Sequence, residues 1–136
     1  MNSKTLIGGV IGGVAFFLLG WLIFGIVLMP MTASYTNMSC MRPEAELSLP
    51  LLAVANLLWG LTFAYIFSKM PGITGFASAA VQGAIISVLI GLSYDIFMYV
   101  FTTMNTSLVI AVYNLIGNII LGGLGGGVIG WWMGRK

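Results

Sequence analysis

The sequence has no histidine, one cysteine and very little charge. Without His, and with only Cys40 and three acidic residues, the usual nitrogen and sulfur ligands of a transition-metal site are missing. A lone Cys excludes an intrachain disulfide, which leaves Cys40 as a loop thiol or one half of an intermolecular bridge. No nucleophile–base pair can be assembled, so neither enzymatic activity nor a cofactor is expected. "GGLGGG" has no Lys-Ser/Thr sequel and no preceding strand, so it is not a phosphate loop. Charged residues make up 6% of the 136 positions, against roughly 25% in soluble domains. Five basic and three acidic side chains cannot cover a soluble domain of this size. The basic residues are too few for a nucleic-acid patch.

What is present is hydrophobic: 60% of the chain, with 19 glycines. Apolar runs at 6–29, 48–68, 74–103 and 107–133 each reach the roughly 20 residues that a transmembrane helix requires. They do not alternate apolar with polar, as barrel strands would. Backbone groups in lipid must be satisfied within the chain, so helices are expected. The first run exceeds the core of a typical signal peptide and is expected to be a retained span. The expected fold is an all-α membrane protein, a four-transmembrane-helix bundle forming one integral domain over 1–136.

Lys4, Lys69, Arg135 and Lys136 fall on one side of a four-span arrangement, and Arg42, Glu44 and Glu46 on the other. The excess of basic residues predicts cytoplasmic termini in a bacterial inner membrane. The 31–47 loop and the "TTMNTS" turn then face outward. Trp131 and Trp132 fit an interfacial anchor beside Arg135. Met29, Met31, Met38 and Met41 gather near the outer face. Thioethers can bind Cu(I), but filling gaps in apolar packing is their commoner use.

"AVANLLWG" at 53–60 and "AVYNLIGN" at 111–118 are near-copies. Gly12 with Gly83 and Gly20 with Gly91 match more weakly, which suggests two duplicated helix hairpins, 1–68 and 69–136. Such copies would be parallel repeats about an axis along the membrane normal. Small residues recur every four positions: Asn56, Gly60, Ala64, Ser68; Gly75, Ala79, Gly83, Ser87, Gly91, Asp95; Asn114, Asn118, Gly122, Gly126, Gly130, Gly134. Gly8 and Gly12 form a shorter set in the first span. Spacing of this kind lets helix backbones approach closely. It drifts by about 40° per step, because four residues exceed a 3.6-residue turn. Crossed helices are therefore expected rather than one straight seam. The small residues around "GGLGGGVIG" exceed what one bundle needs, which predicts contact with a second copy or another membrane protein.

Asp95 is the sole intramembrane carboxylate, and an ionisable residue there costs ~2.5–3.5 kcal/mol on insertion scales. Asn56, Asn114 and Asp95 sit at nearly one depth, roughly 10–12 Å below the outer boundary at 1.5 Å per residue. Ser93, Tyr94, Tyr99 and Tyr113 are close to them in sequence, and Trp59 and Asn118 lie a turn deeper. On one reading this is an outward-open polar cavity, in which Asp95 binds a cation or carries a proton while the Asn residues orient a solute. On the other the same groups bond one another and hold the helices in register, and the lack of a second carboxylate, His or intramembrane Lys to complete a relay favours this one.

"FFLLGWLIFGIVL", "ANLLWGLTFAYIFSK" and "GAIISVLIGLSYDIFMY" resemble small four-span bacterial inner-membrane proteins of unknown function. That resemblance implies no activity, but it draws attention to Trp21, Tyr94 and Asp95. Small multidrug exporters are similar only in size, since their essential acid lies in span one and none is present here. Two functions follow as expectations. The first is permeation or transport of a small solute or ion, and the second an accessory or scaffold subunit gripping partners through glycine faces. The lipid bilayer is a partner under both.

Overall fold

The computed structural model describes residues 2–37, 39 and 44–135, apart from the Glu44 side chain. Met38, Cys40, Met41, Arg42 and Lys136 lie outside the described residues, and with them part of the 31–47 loop. Helix α1 (Ser3–Gly20) continues through a π-helical stretch, Trp21–Leu28, into the short α2 (Met29–Thr32). Then come α3 (Leu49–Ser68), α4 (Phe76–Phe101) and α5 (Val109–Met133). Four spans, Ser3–Tyr35, Leu49–Ser68, Phe76–Phe101 and Val109–Met133, are long and apolar enough to cross a membrane. The protein is thus an all-helical membrane protein, as its composition requires. The π-helical stretch is the departure; nothing in the sequence signals it.

Local chemistry sets the helix ends. The Asn2 side chain accepts from the Thr5 N–H at 2.8 Å, satisfying a donor that α1 cannot. Ser48 does the same for α3, with Pro50 in the first turn where no N–H is needed.

Helix α1 packs on α3 and α4 on α5, while α1 against α5 joins the two pairs; α3 and α4 hardly touch. Glycine permits each close approach. A Cβ on Gly60 of α3 would collide with the Gly9 carbonyl and the Gly13 backbone of α1. Between α4 and α5 the contacts form a ladder. Ala79 meets Gly130, Gly83 meets Gly126, Ser87 meets Gly122, and Gly91 meets the Asn118 amide. The Asn114 side chain then donates to Asp95 at 3.1 Å as the fifth rung. A four-residue period is kept over five rungs, which right-handed winding of the pair accommodates.

The apparent surplus of small residues in α5 is also resolved within the chain. Gly125 abuts Phe16 of α1, Gly127 abuts Phe76, and Gly134 abuts Thr74. Gly8 receives Trp132 and Met133, and Gly12 receives Ile129.

The half of the bundle nearest the termini is dense, with Phe16, Phe63, Ala64, Phe67, Ala79 and Ile129 forming its core. Trp132 Nε1 donates to the Lys4 carbonyl at 3.0 Å, and the Lys4 ammonium donates to the Arg135 carbonyl. The Arg135 guanidinium stacks over Trp131 and Trp132, 5.1 and 5.4 Å from the ring centres. At the opposite end Tyr35 stacks on Tyr113, 6.1 Å between centroids. There the Asn37 N–H donates to the Met104 carbonyl at 2.6 Å and the Thr106 N–H to the Tyr35 carbonyl at 2.8 Å, clasping the α4–α5 turn to the end of the first span.

Gly60→Ala and Gly83→Ala should each destabilise the protein by about 1–3 kcal/mol, because the methyl meets backbone that cannot yield. Gly20→Ala, whose Cβ would point into open space, should change stability little. Melting temperatures of the three variants in one detergent check the contrast.

Candidate functional site

The structure divides the anticipated polar layer in two. Asp95 is 6% exposed in the α4–α5 seam, and its partner is Asn114. Asn56 does not join them; its amide donates to the Leu52 carbonyl of its own helix at 2.9 Å. The expected convergence of one carboxyl and two carboxamides is therefore corrected to one carboxyl and one carboxamide. Sequence position gives a place along a helix, but a helix also has a rotational phase. Asn56 lies on the α3 face turned toward a cavity, and the α4–α5 seam lies elsewhere.

That cavity is the second feature. About 500 Å³ in volume, it is lined by all four spans. Such a size is ordinary for a small-molecule site. From α1 and the π-helical stretch come Phe16, Phe17, Gly20, Trp21, Phe24 and Gly25, and from α3 Leu52, Asn56, Trp59 and Phe63. The α4 wall is Ser87, Ile90, Gly91 and Tyr94, and α5 adds Asn118 and Leu121. Of the residues singled out from the sequence, Asn56, Trp59, Tyr94 and Asn118 line it. Asp95 and Asn114 do not, and Ser93 points into a shallow groove with Leu89 and Phe97 on another face of α4. Ser87 and Gly91, expected only as packing residues, also border it.

Local structure explains the shape. Phe16 and Phe63 close the floor with ring centres 5.0 Å apart, and Trp59 meets Phe63 edge-on at 5.8 Å. Gly20 adds no side chain and so leaves the middle empty. The π-helical stretch carries Trp21, Phe24 and Gly25 along one wall. The aromatics of spans one and two were the available sequence signal, and Trp21 and Trp59, both singled out from the sequence, belong to it.

The polar equipment is sparse. Among the described residues the Asn118 carboxamide has no hydrogen-bond partner, and it occupies the space a side chain on Gly91 would need. The Asn56 NH₂ is engaged, which leaves its carbonyl oxygen available. Among the described residues no lining residue is charged. The carboxamides of Asn56 and Asn118 and the hydroxyls of Ser87 and Tyr94 are groups that can orient a molecule by hydrogen bonds.

A double-mutant cycle of Asp95→Ala and Asn114→Ala should give a stability coupling of about 0.6–2 kcal/mol, as for interhelical bonds in membranes. Asp95→Ala with Asn56→Ala should give additive effects within about 0.5 kcal/mol, since the two share no contact. Unfolding in mixed micelles measures both. Comparison of the chain with protein-family models, with curated proteins and with solved structures gives no match.

Proposed function

We propose that this protein carries a small solute through the membrane, and that the four-span cavity is its solute site. The observation that carries this reading is a cavity of about 500 Å³, bordered by every span and stopped at one end by the Phe16–Phe63 floor. Such a shape is what a carrier open to one side presents, with the floor as the closed gate. Sparse contact between α3 and α4 supports movement of the α1–α3 pair against the α4–α5 pair. Asp95 holds the second pair together, and the solute contacts fall to Asn56, Asn118, Trp59 and Tyr94.

The orientation goes with this proposal. Lys4, Lys69 and Arg135 belong to the end that carries both termini, and Glu46 to the other. The imbalance supports cytoplasmic termini in a bacterial inner membrane and a cavity in the outer half. Duplication of the hairpins remains part of the proposal, with a difference in register. Gly12 neighbours Gly60 in the first pair, whereas its counterpart Gly83 neighbours Gly122 and Gly126 in the second. Equivalence of Gly60 with Asn118 would thus require a slip of about one turn. The accessory-subunit reading has no comparable observation behind it, because the glycine faces it relied on are occupied within the chain.

Gly20→Phe fills the cavity from a position where the new side chain meets nothing. Stopped-flow light scattering of proteoliposomes can follow glycerol, glycine and potassium salt entry, and bromine quenching of an enclosed dye the crossing of 11-bromoundecanol. At least one should enter faster with the wild-type protein than without it. Gly20→Phe should return that rate to the protein-free value at an unchanged melting temperature. Rates equal to protein-free liposomes for every class, or equal in wild type and variant, count against transport through this cavity.

A further inference from the structure

The composition of the cavity wall narrows what it can hold. Among the described residues no charged side chain lines it, and Asp95, the span carboxyl next to Tyr94 in sequence, is turned into the seam and bonded to Asn114. An ionic guest would lose its water there without gaining a counter-charge. Most of the wall is aromatic or aliphatic, with Trp21, Phe24, Trp59 and Phe63 supplying broad apolar faces. Against that stands one conspicuous polar group. The Asn118 carboxamide offers two N–H donors and a carbonyl acceptor, and none is engaged by a described residue. Gly91 gives it room. A carboxamide matches a hydroxyl or carbonyl equally well, because it can donate to one and accept from the other.

The way in is also constrained. Helices α3 and α4 hardly touch, and their cavity residues Leu52, Trp59, Ile90 and Tyr94 are between 42% and 61% exposed. The opposite wall is shut by α1 packed on α5, and the outer end of that wall by the Tyr35–Tyr113 clasp. The gap between α3 and α4 therefore gives the cavity an opening toward lipid.

We propose that the cavity accepts an uncharged amphipath, an apolar body with one hydroxyl or carbonyl head, entering sideways from the bilayer between α3 and α4 with its head on Asn118. This rests on the reading of the cavity as the solute site and names the class of solute.

Trp21 and Trp59, two of the four tryptophans, line the cavity, so their fluorescence reports on its contents. The full chain in micelles is titrated with 11-bromoundecanol, with the carboxylate and trimethylammonium probes of equal length, and with headless 1-bromoundecane. The alcohol should quench saturably and bind about tenfold or more tighter than either charged probe. Asn118→Leu should weaken the alcohol by about fivefold, one hydrogen bond's worth, and leave the headless probe unchanged. Gly91→Ala, which adds only a methyl and displaces the Asn118 amide, should weaken the alcohol in the same sense and serves where Asn118→Leu does not fold. Equal or tighter binding of a charged probe overturns the proposal, as does an alcohol affinity indifferent to both variants. If every probe quenches without saturation and Gly20→Phe alters none of them, the cavity is not a solute site and the transport reading falls as well. Saturable, head-dependent binding without flux in proteoliposomes would sink transport alone and leave this assignment standing.

Discussion

Helices in a bilayer have no hydrophobic effect to press them together, so they hold by contact at close range and by hydrogen bonds. In this protein the close range is set by missing side chains. Gly60 lies against the α1 backbone at Gly9 and Gly13, and Gly83 lies against Gly122 and Gly126 of α5. Where two backbones touch, neither helix can turn or slide without a clash. The α4–α5 ladder extends that constraint over five rungs, from Ala79–Gly130 to Asp95–Asn114. The positions of the other side chains are consequences of these two contacts together with the α1–α5 packing.

One consequence is an uneven interior. Near the termini, phenylalanines and Ile129 fill the space between the tightly held pairs. Further along, α3 diverges from α4, and Gly20, Gly25 and Gly91 contribute no bulk. The space left over is the cavity. Its polarity follows from its position, for among the described residues it borders four carboxamide or hydroxyl side chains, Asn56, Ser87, Tyr94 and Asn118, and no charged one. The residue that first attracts notice, Asp95, is placed elsewhere by the same geometry. As the last rung of the ladder it takes the Asn114 amide and turns its back on the cavity. A carboxyl group in a span can thus belong to the framework, and the neutral groups around an aromatic hollow can be the ones that meet a guest.

The ends of the molecule complement this arrangement. Trp132 and Lys4 tie the first and last helices at one end, and the Asn37–Met104 and Thr106–Tyr35 hydrogen bonds tie the first span to the α4–α5 turn at the other. Helix α3 is fastened through the α1 face and the shared core alone.

The four spans, their helical nature and their approximate limits were legible in the sequence, because a bilayer leaves an apolar run of that length no other structure. So were the small-residue ridges of α4 and α5, written as Gly75 to Asp95 and Asn114 to Gly134. Their fit to one another was not, since a period of four says which residues share a stripe and nothing about which stripe faces it. Depth could be counted along each run, which placed Asp95, Asn56 and Asn114 at one level. Rotation about the helix axis could not be counted, and rotation separated Asn56 from the other two. The π-helical stretch and the cavity beside it were likewise decided by tertiary packing. An empty volume is a property of several helices at once, and no single stretch of chain encodes it.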